Sequence, residues 1–311
     1  MKILYGRCFG IGNAIMAVPA LKALRYLNPT AEIHLLVGSS FDDIGAFDVA
    51  TMLIEKYPNI VDRIVIDRAP YDVVYDLAIM AIPFDGRWVE GRDFRARQVR
   101  DGRTRPDPTT VGLGSWKKHE VRYQLDNVDP SIREFDTSFI PCDTTCLSWF
   151  DVPPPSHVYL GVGYKKDPRG QWNVKHWGNE NYAELVQRIL SADPIARVWT
   201  TGDNLDITQT ISRITPQISP DVRDRFVAYP LSLRRSFVKM RDRCGTYVGN
   251  DTGMMHVAAS LDRRVVGLFF MENSIVKNGP LCRRHVELEG WSAPLTVDVV
   301  FTKTMEMISG R

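Results

Sequence analysis

Tyr247–Phe270, YVGNDTGMMHVAASLDRRVVGLFF, decides how the rest of the chain is read. Tyr247 and Val248 close an apolar strand, and Gly249-Asn250-Asp251-Thr252-Gly253 is a turn of residues that tolerate unusual backbone angles. Met254–Leu261 places apolar residues at helical spacing, and Val265–Phe270 is an unbroken apolar run of the kind buried in a parallel sheet. A turn at the carboxyl end of a strand is where open α/β sheets bind ligands. Its N–H groups, with a helix N-terminus behind them, suit an anion such as a diphosphate. Asp251 would accept hydrogen bonds from sugar hydroxyls, and His256, about one helical turn later, would face the same cleft. An isolated Asn-Asp-Thr-Gly is better explained by a helix cap from Asp251 or Thr252 beside a surface histidine, since Asp and Thr are ordinary caps. The start of the chain shifts that balance.

There, Lys2–Tyr5 opens a strand, and Gly6, Gly10 and Gly12 allow a close turn into a helix over Ala14–Leu27. Asn13 stands where a helix N-cap would, and Pro19 implies a kink or a later start. Ala31–Val37, Arg63–Ile66 and Tyr71–Ala81 hold further strands, with a helix over Phe41–Tyr57 between the first two. Strands alternating with helices predict a doubly wound parallel sheet.

Residues 85–118 interrupt the alternation with seven arginines between Arg87 and Arg105, followed by Lys117 and Lys118. The segment reads either as a solvated loop, its charge diluted by acidic neighbours, or as a platform for phosphate or carboxylate groups. With the exposed aromatics Trp88 and Phe94 it could also contact a membrane surface. A helix restarts at His119–Leu125.

Phe150-Asp151-Val152-Pro153-Pro154-Pro155 is a stiff spacer, predicting one domain over 1–150, a linker over 151–156 and a second domain over 157–311. Strands follow at Val158–Val162, Ala196–Thr200 and Phe226–Ala228. Helices are expected at Tyr182–Ile189, Leu205–Ile214, Ser232–Asp242 and Phe301–Ile308, with Thr201-Gly202-Asp203 as a turn. The fold class expected is α/β, two facing Rossmann-like domains with parallel sheets and a cleft between them.

Composition agrees with two globular domains: 311 residues, 44% hydrophobic and 24% charged, with no apolar run near the length of a membrane span. The N-terminus lacks the apolar core of a secretory signal, and five scattered cysteines fit a reducing compartment better than a disulfide framework. A cytoplasmic location is expected. Cys142 and Cys146 form a lone C-x3-C with no second pair, and no metal site is expected. A net charge of +2 argues against nucleic acid as a general partner.

Three blocks of this sequence resemble glycosyltransferase family 9, the ADP-heptose:lipopolysaccharide heptosyltransferases and their relatives. They are GIGNAIMAVPALKAL at Gly10–Leu24, Lys175-His176-Trp177 with Glu180-Asn181-Tyr182-Ala183-Glu184-Leu185, and VGNDTGMMHVAASLDRRVVGL at Val248–Leu268. Residues 85–141 have no counterpart in that pattern. The resemblance implies a GT-B fold, with the acceptor on the N-terminal domain and a nucleotide-diphosphate sugar on the C-terminal one. It implies inversion at the anomeric carbon with no catalytic metal and no cofactor, and ADP-heptose as the donor. The acceptor would be a saccharide such as a lipopolysaccharide core.

By the same resemblance Lys175 contacts the diphosphate, and Asp251, Thr252, Gly253 and His256 bind the donor. Thr201 and Gly202, at the same sheet edge, would flank the nucleotide. Gly12, Asn13, Arg95, Arg97 and His119 are the acceptor-side candidates, and Asn13, Lys175 and Asp251 the catalytic ones. One departure matters: Asn13 stands where the heptosyltransferases carry the aspartate proposed as catalytic base, and an amide has no useful proton affinity. Asp85, Glu90, Asp93, His119 and Glu120 are alternative bases. Competing readings are a nucleotide-sugar-binding module that has lost catalysis, a glycosyltransferase acting on nucleic acid, and an epimerase of related fold.

Overall fold

The computed structural model describes residues 1–8, 10–37, 50–51, 55, 58–66, 75–80, 118–132, 153–163, 175–202 and 210–310. The chain divides into two compact units, Met1–Ile140 and Pro141–Arg311, so the division falls some way ahead of the proline run. Pro154 and Pro155 dock onto the second unit. The Pro155 carbonyl accepts the Thr246 hydroxyl at 2.7 Å, and the Pro154 carbonyl accepts the amide of His157 at 2.9 Å.

In the first unit β1 (Lys2–Cys8) is followed by α1 (Gly10–Met16), α2 (Val18–Leu27), β2 (Glu32–Val37), β3 (Arg63–Ile66), β4 (Leu77–Met80) and α3 (Glu120–Val128). The four strands form one parallel sheet in the order β3-β2-β1-β4. The interruption expected at Pro19 within Ala14–Leu27 is a break at Ala17 between two helices. Pro19 falls in the first turn of α2, where its missing N–H costs no intrahelical bond. Asn13 is therefore not an N-cap. It lies inside α1, and its carbonyl accepts the amide of Ala17 at 2.9 Å. Ile3, Tyr5, Leu21, Ile33 and Leu125 are buried in the core between sheet and helices.

The second unit runs β5 (His157–Gly161), α4 (Asn179–Ala192), β6 (Arg197–Gly202), β7 (Phe226–Pro230), α5 (Leu233–Arg243), β8 (Thr246–Asn250), α6 (Gly253–Ser260), β9 (Arg264–Phe269), α7 (Ser274–Asn278), β10 (His285–Glu289) and α8 (Val297–Ser309). Its sheet is also parallel, in the order β10-β9-β8-β5-β6-β7. Val158, Leu160, Val198, Val248 and Val266 pack against Leu185 and Ile189 of α4 and Val300 of α8. Thr201 and Gly202 are the last residues of β6 and not a turn beyond it, because both pair with β7. The helix expected over Leu205–Ile214 is described only at 210–213. Cys244, which follows α5, is wholly buried, and burial pushes its thiol up to about 12.

Gly249 and Gly161 face each other across β8 and β5. A Cβ on Gly249 would come within 2.5 Å of the Gly161 Cα, so the two strands approach here because Gly249 carries no side chain, while a Cβ on Gly161 would meet the Tyr247 ring.

Candidate functional site

Only Asp251 and Thr252 lie between the end of β8 and the start of α6. The Asp251 amide donates to the Leu268 carbonyl of β9 at 3.1 Å, which pins the turn to the sheet. Thr252 occupies the N-cap with extended backbone (φ −136°, ψ 172°), yet no side chain caps the helix. The capping explanation of Asn-Asp-Thr-Gly therefore does not describe this turn. The Met255 amide turns back to the Thr252 carbonyl at 3.0 Å, which leaves the amides of Gly253 and Met254 for another acceptor.

The Asp251 carboxylate is turned elsewhere. Its Oδ2 accepts Lys175 Nζ at 2.8 Å and Asn278 Nδ2 at 3.2 Å, while Lys175 Nζ also donates to the Asp251 carbonyl at 3.3 Å. His256 Nε2, one turn into α6, stands 3.9 Å from Oδ1. Asp251 is 5% exposed and His256 6%, so this carboxylate is held by its partners and not by water.

Lys175 comes from a distant part of the chain, and the residues after it explain how it is presented. Trp177 is buried, donates Nε1–H to the Leu295 carbonyl at 2.8 Å and meets Tyr182 edge to face at 5.2 Å. Asn181 Nδ2 donates to the Trp177 carbonyl at 2.6 Å, tying the segment to α4. His176 Nδ1 accepts the Gly178 amide at 3.2 Å, and burial keeps this imidazole below its ordinary pKa.

Beneath the turn, Tyr182 donates its hydroxyl to Asn250 Oδ1 at 2.6 Å, Tyr247 donates to the Asn250 carbonyl at 2.9 Å, and Asn250 Nδ2 donates to the Gly163 carbonyl at 3.4 Å. Burial raises both phenols well above their usual pKa, so both stay protonated donors. Thr201 Oγ1 lies 2.9 Å from the Tyr159 hydroxyl, itself pushed up to about 12 by burial, and Tyr159 stacks on Tyr247 at 5.7 Å. Thr201 and Gly202 thus share the carboxyl edge of the sheet with Asp251, two strands away, about 10 Å.

The fold gathers Lys175, Asp251, Thr252, Gly253 and His256 around one turn. The sequence reading missed Asn278 and the Tyr182–Asn250 bond. Asn278 precedes a Gly-Pro break, which announces a loop and says nothing of what its amide touches. Among the described residues no group of histidine, cysteine and acidic side chains could hold a metal ion, and no helix is long and apolar enough to cross a membrane.

The acceptor-side candidates belong to the first unit. Gly12 and Asn13 are half-buried in α1, which packs on α3. His119 caps α3 through Nδ1, which accepts the Val121 amide at 3.2 Å. Glu120 is 1% exposed and accepts from Gln124 Nε2 at 3.2 Å, and Gln124 in turn accepts the Tyr5 hydroxyl at 3.0 Å. Arg95 and Arg97, like Asp85, Glu90 and Asp93, lie outside the described residues.

Residues 167–294 match the family model described as glycosyltransferase family 9 (heptosyltransferase). No curated protein sequence matches the chain. Among solved structures it is similar to E. coli ADP-heptose lps heptosyltransferase II, with 16% identity, a TM-score of 0.65, and 100% of this chain and 99% of that one covered. A glycosyl transferase family 9 protein from Veillonella parvula gives 14% identity and a TM-score of 0.69 over 100% and 97% of the two chains. E. coli heptosyltransferase WaaC with ADP gives 16% identity and 0.65 over 99% and 100%.

Proposed function

We propose that this chain, a glycosyltransferase with a family 9 domain at residues 167–294 on a GT-B fold, is an inverting, metal-independent enzyme that moves a sugar from a nucleotide diphosphate. The observation that carries the reading is the pairing of an uncapped helix N-terminus with the ion pair between a half-buried Lys175 and a buried Asp251. In a metal-independent transfer, the charge that develops on a leaving diphosphate must be met by fixed dipoles and cations. The amides of Gly253 and Met254 and the ammonium of Lys175 supply both. Asp251, oriented by Lys175, Asn278 and His256, accepts from sugar hydroxyls.

ADP-heptose is the donor we favour, since a heptosyltransferase solved with ADP shares the fold. A saccharide such as a lipopolysaccharide core is the acceptor in this reading. The base that takes the acceptor proton is not Asn13, whose amide orients the hydroxyl. The test is a thermal-shift panel of ADP, GDP, UDP, CMP and TDP with and without magnesium. ADP should raise the melting temperature most and magnesium should not alter the shift. A larger shift with another nucleotide would discard heptose, and a shift that requires magnesium would discard the metal-independent mechanism.

Asn13 favours a second reading, a donor-binding module without transfer. It predicts a full ADP shift with neither sugar transfer nor donor hydrolysis.

A further inference from the structure

All six strands of the second sheet point the same way, so their first residues line one edge, the one remote from Asp251. That edge is basic across most of its width. Arg284 stands just ahead of β10 and Arg264 opens β9. Arg243 ends α5 ahead of β8, His157 opens β5, and Arg197 opens β6. His285 pairs with Val265, which makes Arg284 and Arg264 neighbours, and His157 pairs directly with Arg197. Four strand spacings separate the ends of the row, about 20 Å.

Arg197, Arg243 and Arg284 are exposed, and His157 and Arg264 are half-buried. Among the described residues none of the four arginines has a carboxylate partner. The acidic groups nearby are engaged or peripheral: Asp242 pairs with Arg241, Asp262 with Arg283, and the Asp193 carboxylate accepts the Ile195 amide at 2.9 Å. Asp224 is exposed at the far end, ahead of β7. The cations feel one another. Burial and then Arg197 and Arg243 depress the pKa of His157, and burial and then Arg284 depress that of Arg264. Beside Arg197 the Asp193-Pro194-Ile195 turn holds an isoleucine 71% exposed.

We infer that this edge is a docking surface for an anionic lipid bilayer. The cations are spread along a line and do not converge on a point, which suits a sheet of headgroups better than one bound phosphate. An aliphatic side chain fixed at the end of the row suits insertion among acyl chains. Nucleic acid would call instead for aromatic platforms, and no exposed aromatic side chain lies among the residues of this row. The surface is separate from the donor site, and the inference does not depend on the sugar transferred.

The test is co-sedimentation of the full chain with phosphatidylcholine vesicles with and without phosphatidylglycerol. Binding is expected only with phosphatidylglycerol, weakening as salt rises. Arg197→Glu/Arg264→Glu/Arg284→Glu should lower vesicle partitioning about tenfold or more, and Ile195→Ser about threefold. The milder pair Arg197→Gln/Arg284→Gln serves if the charge reversals do not fold. An unchanged ADP shift in each variant would show an intact unit. Wild-type partitioning by the folded variants, no binding by the wild type, or tighter binding to a single-stranded oligonucleotide than to vesicles would each overturn the inference.

Discussion

At Asp251 a buried carboxylate is held by a lysine and an asparagine, with a histidine 3.9 Å away, drawn from three segments of the chain. Removing either member of the ion pair strands the other. Asp251→Ala and Lys175→Ala should each weaken donor binding or turnover at least tenfold, about 1.4 kcal/mol, read by steady-state kinetics. Lys175→Met should also cost stability, about 3 kcal/mol by chemical denaturation, because it leaves the Asp251 charge in a site almost closed to water. Asn13→Ala belongs to the other unit. It should lower turnover about tenfold or more and leave the ADP-induced melting shift as in the wild type. Loss of that shift would assign Asn13 to donor binding instead.

At the scale of elements, the turn between β8 and α6 works because the layer beneath it is tied from the side. Tyr182 reaches from α4 to Asn250, so helix and strand end move together. Tyr182→Phe keeps the ring and leaves the Asn250 amide oxygen buried without its donor, which should cost about 1–3 kcal/mol in urea unfolding. The same region shows what the sequence could and could not disclose. The β8–α6–β9 unit was legible because an apolar strand, a Gly-bounded polar turn and an apolar run each speak through local chemistry. β3 was legible for the same reason. β10 was not: HVELE carries charge on an edge strand, where exposure relaxes the apolar pattern. Thr201 and Gly202 were misplaced because a Thr-Gly pair reads as a turn until its pairing with β7 is known. Asn278 was invisible because what it touches is 27 residues away, and no local pattern encodes that distance.

For the whole molecule, the legible part was the alternation that gives two parallel sheets. The proline run reads as a free spacer, but its carbonyls are used by β5 and β8 of the second unit. Stability against pH is also a property at this scale. His157 and His176 are both held below the ordinary histidine value of 6.5, chiefly by burial. Below that value the unfolded chain binds protons that the folded chain refuses, so their contribution is complete above 6.5 and is lost as pH falls. Glu287, raised by burial, has the opposite sign. The clean measurement is therefore a difference. Between about pH 7 and about pH 5.5 the melting temperature of His157→Gln/His176→Gln should fall less than that of the wild type. Parallel curves would show that neither histidine couples to folding.

Cys244 turns the second unit into its own clock. A thiol with no surface, held protonated by its surroundings, can meet a reagent only when the sheet opens around it. Labelling at that one position, followed by peptide mass analysis, would count openings without any engineered probe. ADP should slow the count in proportion to its occupancy. Vesicles, which would hold the edge where Arg243 adjoins this thiol, should slow it by their own occupancy. One native sulfur atom would then time both partners by the tempo each imposes.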